Sequence, residues 1–280
     1  MPVTGLERRA LMTSALDLEG LGLEIGPSHR PLLPKHEGFN VRTADHLDQA
    51  GLIAKYDGIR PTEGIEEVDY VLSGSRLVTT IDDKFDYIIA SHVIEHTVCL
   101  ISFLQDCGKL LKPGGKLSLA VPDRRFCFDF FRERSTITRL IERYDAGPEV
   151  HSRGAVIDYH LNVVSKAGKV SWWKGADGAF ADVHGLAEAN EQGKVAADGQ
   201  YVDVHNWIFT PNHLRLLLSD LYDLGLVTLR EDAFVSTRGP EFFLTLSESG
   251  PGPTETRNEL RLAAAREAGA TEKVVFDPAD

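Results

Sequence analysis

Short apolar runs alternate with stretches of helical spacing through the first half of the chain. Residues 21–25, 39–43, 69–72, 85–90 and 116–121 read as strands, the last launched by the turn Lys112-Pro113-Gly114-Gly115. Helical spacing fills 47–56 and 97–111, where Leu100, Phe103, Leu104, Cys107, Leu110 and Leu111 fall on one face. This order predicts βαβ units and an α/β fold around a mostly parallel sheet.

After the fifth strand the pattern changes. Residues 123–144 read as helical, and 145–204 are rich in Gly, His and Trp without a clean period. So long a structureless stretch is foreign to a compact domain, so it is read as an inserted cap of short helices and loops. Regular structure resumes at Thr210-Pro211, an N-cap followed by proline at the first helical position, with a helix over 212–224 ending at Gly225. Strands follow at 226–234 and 241–246. The connection 235–240 is too short for a parallel crossover, so this pair predicts an antiparallel end to a seven-stranded sheet. The domain is placed at 1–250. A charged tail at 251–280 carries a helix over 255–268 and a mobile end.

Composition narrows the class. Of 280 residues, 42% are hydrophobic and 26% charged, as in an ordinary globular protein. No apolar run reaches the roughly 20 residues a membrane span needs, and the acidic N-terminal stretch lacks a signal-peptide core, so a cytoplasmic protein is expected. The formal charge of −12 argues against a nucleic-acid substrate. Cys99, Cys107 and Cys127 form no CxxC pair, in keeping with reduced thiols.

Two features suit a nucleoside-bearing cofactor. Leu23-Glu24-Ile25-Gly26-Pro27-Ser28 ends the first strand in a loop where glycine lets a ligand approach the backbone. Asp45, twenty-one residues beyond Glu24, closes the second strand where a carboxylate can accept both ribose hydroxyls. Further on stand FDYIIASHVIEH (85–96) and LLKPGGKLSLAVPD (110–123). In order and spacing, these motifs over residues 20–125 resemble class I S-adenosylmethionine (SAM)-dependent methyltransferases of the type 11 group. PDRRFCFDFFR, DVHNWIFTP and RGPEFFLTL are similar to a bacterial subgroup often associated with glycan assembly.

The resemblance implies a Rossmann-like fold, SAM as cofactor and a small-molecule or glycan acceptor methylated on oxygen or nitrogen. It implies that Glu24, Gly26, Pro27 and Ser28 line the methionine part of SAM and that Asp45, with its neighbour His46, holds the ribose. Gly74 and Ser75 stand at the adenine position, and Ser91 and His92 close the pocket near the sulfur. Arg30 could pair the cofactor's carboxylate.

His92-Val93-Ile94-Glu95-His96 also matches the HxxEH zinc-protease pattern. That chemistry needs both histidines on one helical face, whereas His92 directly follows a strand. Glu95 and His96 therefore read as groups holding a strand-to-helix corner, and no metal is assigned. A divalent ion on Glu95 and His96, helped by cap histidines, is the lesser alternative.

An oxygen acceptor benefits from a base. Asp123 faces the same sheet edge as Asp45. His160, with Asp158 nearby, and His205, with Asp203, flank the cap, and imidazole changes charge near neutral pH. Trp172 and Trp173 suit cap core or a sugar platform, and Trp207 suits core. Two other classes stay open: an NAD(P)-dependent oxidoreductase, disfavoured by the lone glycine, and a non-catalytic SAM-binding partner in glycan assembly.

Overall fold

A computed structural model of the chain describes residues 4–269. Its core is a seven-stranded sheet. Strands β1 (Gly22–Ile25), β2 (Val41–Asp45), β3 (Tyr70–Val71), β4 (Phe85–Ser91) and β5 (Leu111–Pro122) run parallel. In the cap lie β6 (Val164–Lys166) and β7 (Phe180–Asp182), a separate antiparallel hairpin. The sheet is completed by β8 (Arg230–Arg238) and β9 (Glu241–Ser247), and β9 inserts antiparallel between β5 and β8. The order β3-β2-β1-β4-β5-β9-β8 reverses between β1 and β4. At such a point the loops leaving adjacent strands diverge and open a crevice at the carboxyl ends. The expected Rossmann-like sheet with an antiparallel final strand is the one observed.

Helices α2 (Gln49–Tyr56) and α3 (Leu100–Leu110) fall where the spacing placed them. The α3 face of Leu100, Phe103, Leu104, Cys107 and Leu110 is buried in the main core with Phe85, Ile88, Leu119 and Trp207. Helix α1 (Gly5–Thr13) was not anticipated. Its signal was legible as a capping box, since Thr4 accepts from the Glu7 amide while the Glu7 carboxylate accepts from the Thr4 amide. Met12 on α1 packs under Tyr87, Ile89 and Phe243 on the sheet's other face.

The expected helix over 123–144 is broken. A single turn at Arg124–Phe126 gives way to extended and turn backbone, and α4 occupies only Ile137–Ala146. The competing interaction is with the cap: the Phe128 amide donates to Val170 and the Trp172 amide to Phe126. The cap then comprises α5 (Arg153–Asn162), the β6–β7 hairpin and α6 (Leu186–Ala197). It has its own small core of Phe126, Val164, Trp172 and Phe180, so Trp172 is core, while Trp173 is 39% exposed. An extended strap, residues 200–210, leads back to α7 (Pro211–Asp223). Strand β8 starts four residues later than the spacing suggested, its pairing with β9 beginning at Arg230, and the buried Val227 and Leu229 belong to the lead-in. Helix α8 (Arg257–Ala268) packs on α7 through buried Leu260 and Ala264. The tail end expected to be mobile lies outside the described residues.

Candidate active site

The carboxyl edge at this reversal begins with the loop after β1. Gly26 adopts φ 64°, a conformation that favours glycine, and a Cβ there would press on Val93 at 3.1 Å. Ser28 is also left-handed, at φ 53°, and its amide donates to Asp45 Oδ2 at 3.0 Å. Asp45, buried at the end of β2, accepts from the His46 amide on Oδ1 and meets the His46 ring at 2.5 Å. Asp45, Ser28 and His46 thus converge on one point of the carboxyl edge.

Glu24 has a different job. Its two oxygens accept from the amides of Leu32 and Leu33 at 2.7 and 3.0 Å, so the carboxylate shapes the returning loop. Burial raises its pKa against those two bonds. Gly74 and Ser75 follow β3, where the Ser75 amide and hydroxyl donate to Glu149 of the cap.

The turn after β4 carries most of the titratable groups. His92 takes φ 54°, which stops any helix from starting there, and Glu95 follows in a single turn at Ile94–His96. His92 lies 2.8 Å from Glu241 and 3.4 Å from Glu95. Burial alone would lower its imidazole, but these two carboxylates outweigh it and lift the pKa to about 9. Arg8 of α1 joins the group, donating to Glu241 at 2.8 Å and to the Ser91 hydroxyl. Arg8 was missed in the sequence, where nothing ties residue 8 to residue 241.

The strap is fastened onto this turn. The Asn206 and Trp207 amides both donate to the Glu95 carbonyl, at 2.7 and 3.0 Å, and Trp207 Nε1 donates to Thr97. That attachment explains the DVHNWIFTP motif and brings His205 over His96, with ring centroids 4.6 Å apart. His205 Nδ1 sits 2.6 Å from Asp129 Oδ2, both residues buried. Asp129 is held in turn by Arg132, which also donates to the His205 carbonyl and to Asp158. Burial works to raise the Asp129 carboxyl, but His205 and Arg132 hold it at about 2.

The pairings inferred from neighbours in sequence are corrected. Asp203 serves His96 at 2.8 Å, not His205, and its carboxyl is held low by His96 and Lys55 against burial. Asp158 bonds Arg132 and Asn162, not His160, because residues two apart on a helix point to different sides. Asp123 accepts from the Arg125 guanidinium and the Thr237 hydroxyl, so its carboxylate is already paired. His160 is not brought to this cluster; its nearest rings are His184 and Tyr159, at 4.7 and 5.2 Å.

Among the described residues, Glu95 is fully buried, and its oxygens face the His92 ring at 3.4 Å without a well-formed hydrogen bond. Its carboxyl is lowered by His92, His205 and His96, which together overcome burial. Ligand atoms of Glu95, His96 and His205 lie within 4.8 Å of one another, a donor set able to hold a divalent cation. Among the described residues no helix is long and apolar enough to cross a membrane.

A family model described as a methyltransferase domain matches residues 8–218. The chain belongs to that family. It is 42% identical over 53 residues to the mitochondrial ubiquinone biosynthesis O-methyltransferase of Homo sapiens, and 33% identical over 57 residues to that of Parvibaculum lavamentivorans. These matches take in 19% and 20% of this chain and only 14% and 22% of the two relatives. Among solved structures it is similar to the glycopeptide N-methyltransferase MtfA complexed with sinefungin, at 13% identity and TM-score 0.44 over 86% of this chain and 92% of that one. A SAM-dependent methyltransferase from Clostridium acetobutylicum matches at 10% identity and TM-score 0.43, over 82% of this chain and 84% of that one.

Proposed function

We propose that this methyltransferase-family protein moves the methyl group of SAM to a hydroxyl of a small-molecule or glycan acceptor held beneath the cap. In this reading SAM lies at the carboxyl edge between the loops after β1 and β4, with its ribose toward Asp45 and His46 and its sulfonium end toward Ser91 and His92. In-line displacement needs the acceptor oxygen held against the methyl in a water-poor site, and the strap and cap supply that cover. One observation carries the choice of a hydroxyl: His205 is oriented through Nδ1 by buried Asp129, which leaves Nε2 on the Glu95 side as a proton acceptor. This is the arrangement of a base whose tautomer is fixed by a carboxylate. Family membership speaks against the oxidoreductase alternative.

Supporting a cytoplasmic setting, Cys99, Cys107 and Cys127 are all free and buried. The charge of −12 favours a neutral or cationic acceptor over a nucleic acid.

A second reading keeps methyl transfer but places a divalent cation on Glu95, His96 and His205, where it would polarise the acceptor oxygen. It is favoured by the burial of Glu95, whose oxygens meet the His92 ring at 3.4 Å and His205 Nε2 at 3.9 Å without a well-formed hydrogen bond, since a buried carboxylate held so loosely calls for an explanation. Transfer of labelled methyl from SAM to acceptors with free or blocked hydroxyls, before and after chelation, decides among the readings. The base reading expects transfer to free hydroxyls that survives chelation. Loss on chelation, restored by metal in wild type but not in Glu95→Gln, would establish the cation. SAM binding without transfer to any acceptor would leave the non-catalytic role.

A further inference from the structure

The cap holds a second group of ligand-type side chains that methyl transfer leaves without a role. His160 lies near the end of α5, His184 in the turn before α6, and Glu188 in the first turn of α6. One ligand atom from each lies within 4.8 Å of the others. His160 is only 6% exposed. Its Nδ1 is 2.8 Å from the Val156 carbonyl one helical turn back, so that nitrogen must carry the proton. Nε2 is then the nitrogen with the lone pair, and no residue among those described hydrogen-bonds to it.

A histidine that ligates a metal ordinarily donates its other ring N–H to a carbonyl or carboxylate, which fixes the tautomer and ring orientation. His160 is already in that state. Across from it, the His184 ring is centred 4.7 Å away, and His184 Nδ1 lies 2.9 Å from Glu188 Oε1. Two imidazoles and one carboxylate form a donor set that zinc accepts, with a fourth position left for water. The rival account is a plain ion pair between His184 and Glu188 at i and i+4. That accounts for two members but leaves the buried, correctly protonated third without a purpose. A cation at the start of α6 meets the unfavourable end of the helix dipole, and Glu188 in the first turn offsets it.

We propose that His160, His184 and Glu188 form a zinc-class divalent-cation site that ties α5 to the start of α6. The ion would clamp two cap helices separated in sequence by residues 163–185. It would stiffen the wall carrying Tyr159, whose ring lies 6.3 Å from His205. Because a metal that binds only the folded form stabilises it, zinc should raise the thermal midpoint as well as bind.

The test uses the full chain stripped of metal and titrated with zinc against a chromophoric competitor, with cobalt absorption as a second readout. Wild type and Glu95→Gln should each bind an ion at this site and gain thermal stability from it. His184→Ala and the exposed, conservative Glu188→Gln should weaken that binding by about 100-fold or more, or lose the thermal gain outright. The proposal is overturned if wild type takes up no ion, if both cap variants bind as wild type does, or if Glu95→Gln alone abolishes binding. Circular dichroism of Glu188→Gln confirms that lost binding is not lost folding.

Discussion

The cofactor edge and the cap meet at one crevice but are built in opposite ways. At the edge, polar side chains bond close to home: Glu24 to the amides of Leu32 and Leu33, and Asp45 to Ser28 and His46. Around the turn after β4 and the strap fastened to it, partners come from far along the chain. Asp129 and His205 are 76 positions apart, His96 and Asp203 are 107, and His92 and Glu241 are 149. The edge is written in short motifs, whereas the side proposed for the acceptor is assembled from residues distant along the chain. Damage on the cap side should therefore cost mainly stability and turnover, while damage at the edge should cost mainly cofactor affinity.

The sharpest break of that contrast is at Asp129. Asp129→Ala removes one member of a buried pair and strands both Arg132 and His205, so folding stability should fall by about 3–5 kcal/mol. Chemical denaturation monitored by intrinsic fluorescence measures it. A loss below about 1 kcal/mol would mean that the network is not closed as described.

At the edge, Asp45→Ala should weaken SAM by about 1.5–3 kcal/mol, the usual worth of hydrogen bonds to a charged group. Calorimetry reads this directly, and the denaturation midpoint should move less than for Asp129→Ala. Unchanged affinity would remove Asp45 from the ribose.

This asymmetry also explains how far the sequence could be read. The parallel strands, the α3 face and the antiparallel end pair were legible because periodicity and turn residues act within a few positions. So was the convergence of Asp45 and Ser28 on one edge. The cap pairings were not legible, because no local rule selects Asp129 rather than Asp203 as the partner of His205. The break after Asp123 was hidden for the same reason: the residues have helical spacing, but Phe128 and Trp172 gain backbone partners across the β6–β7 hairpin. The bonds of Glu24 to amides eight and nine residues on were not legible, since no local rule points its oxygens to that loop.

A smaller effect joins the two regions through His92. Its pKa is raised from 6.5 to about 9, so the stabilisation it gains with Glu241 and Glu95 is present in full below pH 6.5 and lost as pH rises through 9. The side chain is 41% exposed, so screening holds the effect to less than about 1 kcal/mol. Stability of wild type should decline between those limits, and His92→Gln should flatten the decline. Parallel declines in the two proteins would assign the slope to another group.

The central claim is that His205, fixed by Asp129, takes the acceptor's proton while the edge holds SAM. Single-turnover transfer of labelled methyl by His205→Gln, with SAM affinity measured on the same preparation, tests it most directly. The account predicts transfer about 100-fold or more slower with SAM affinity unchanged. Wild-type transfer rates in His205→Gln would contradict it.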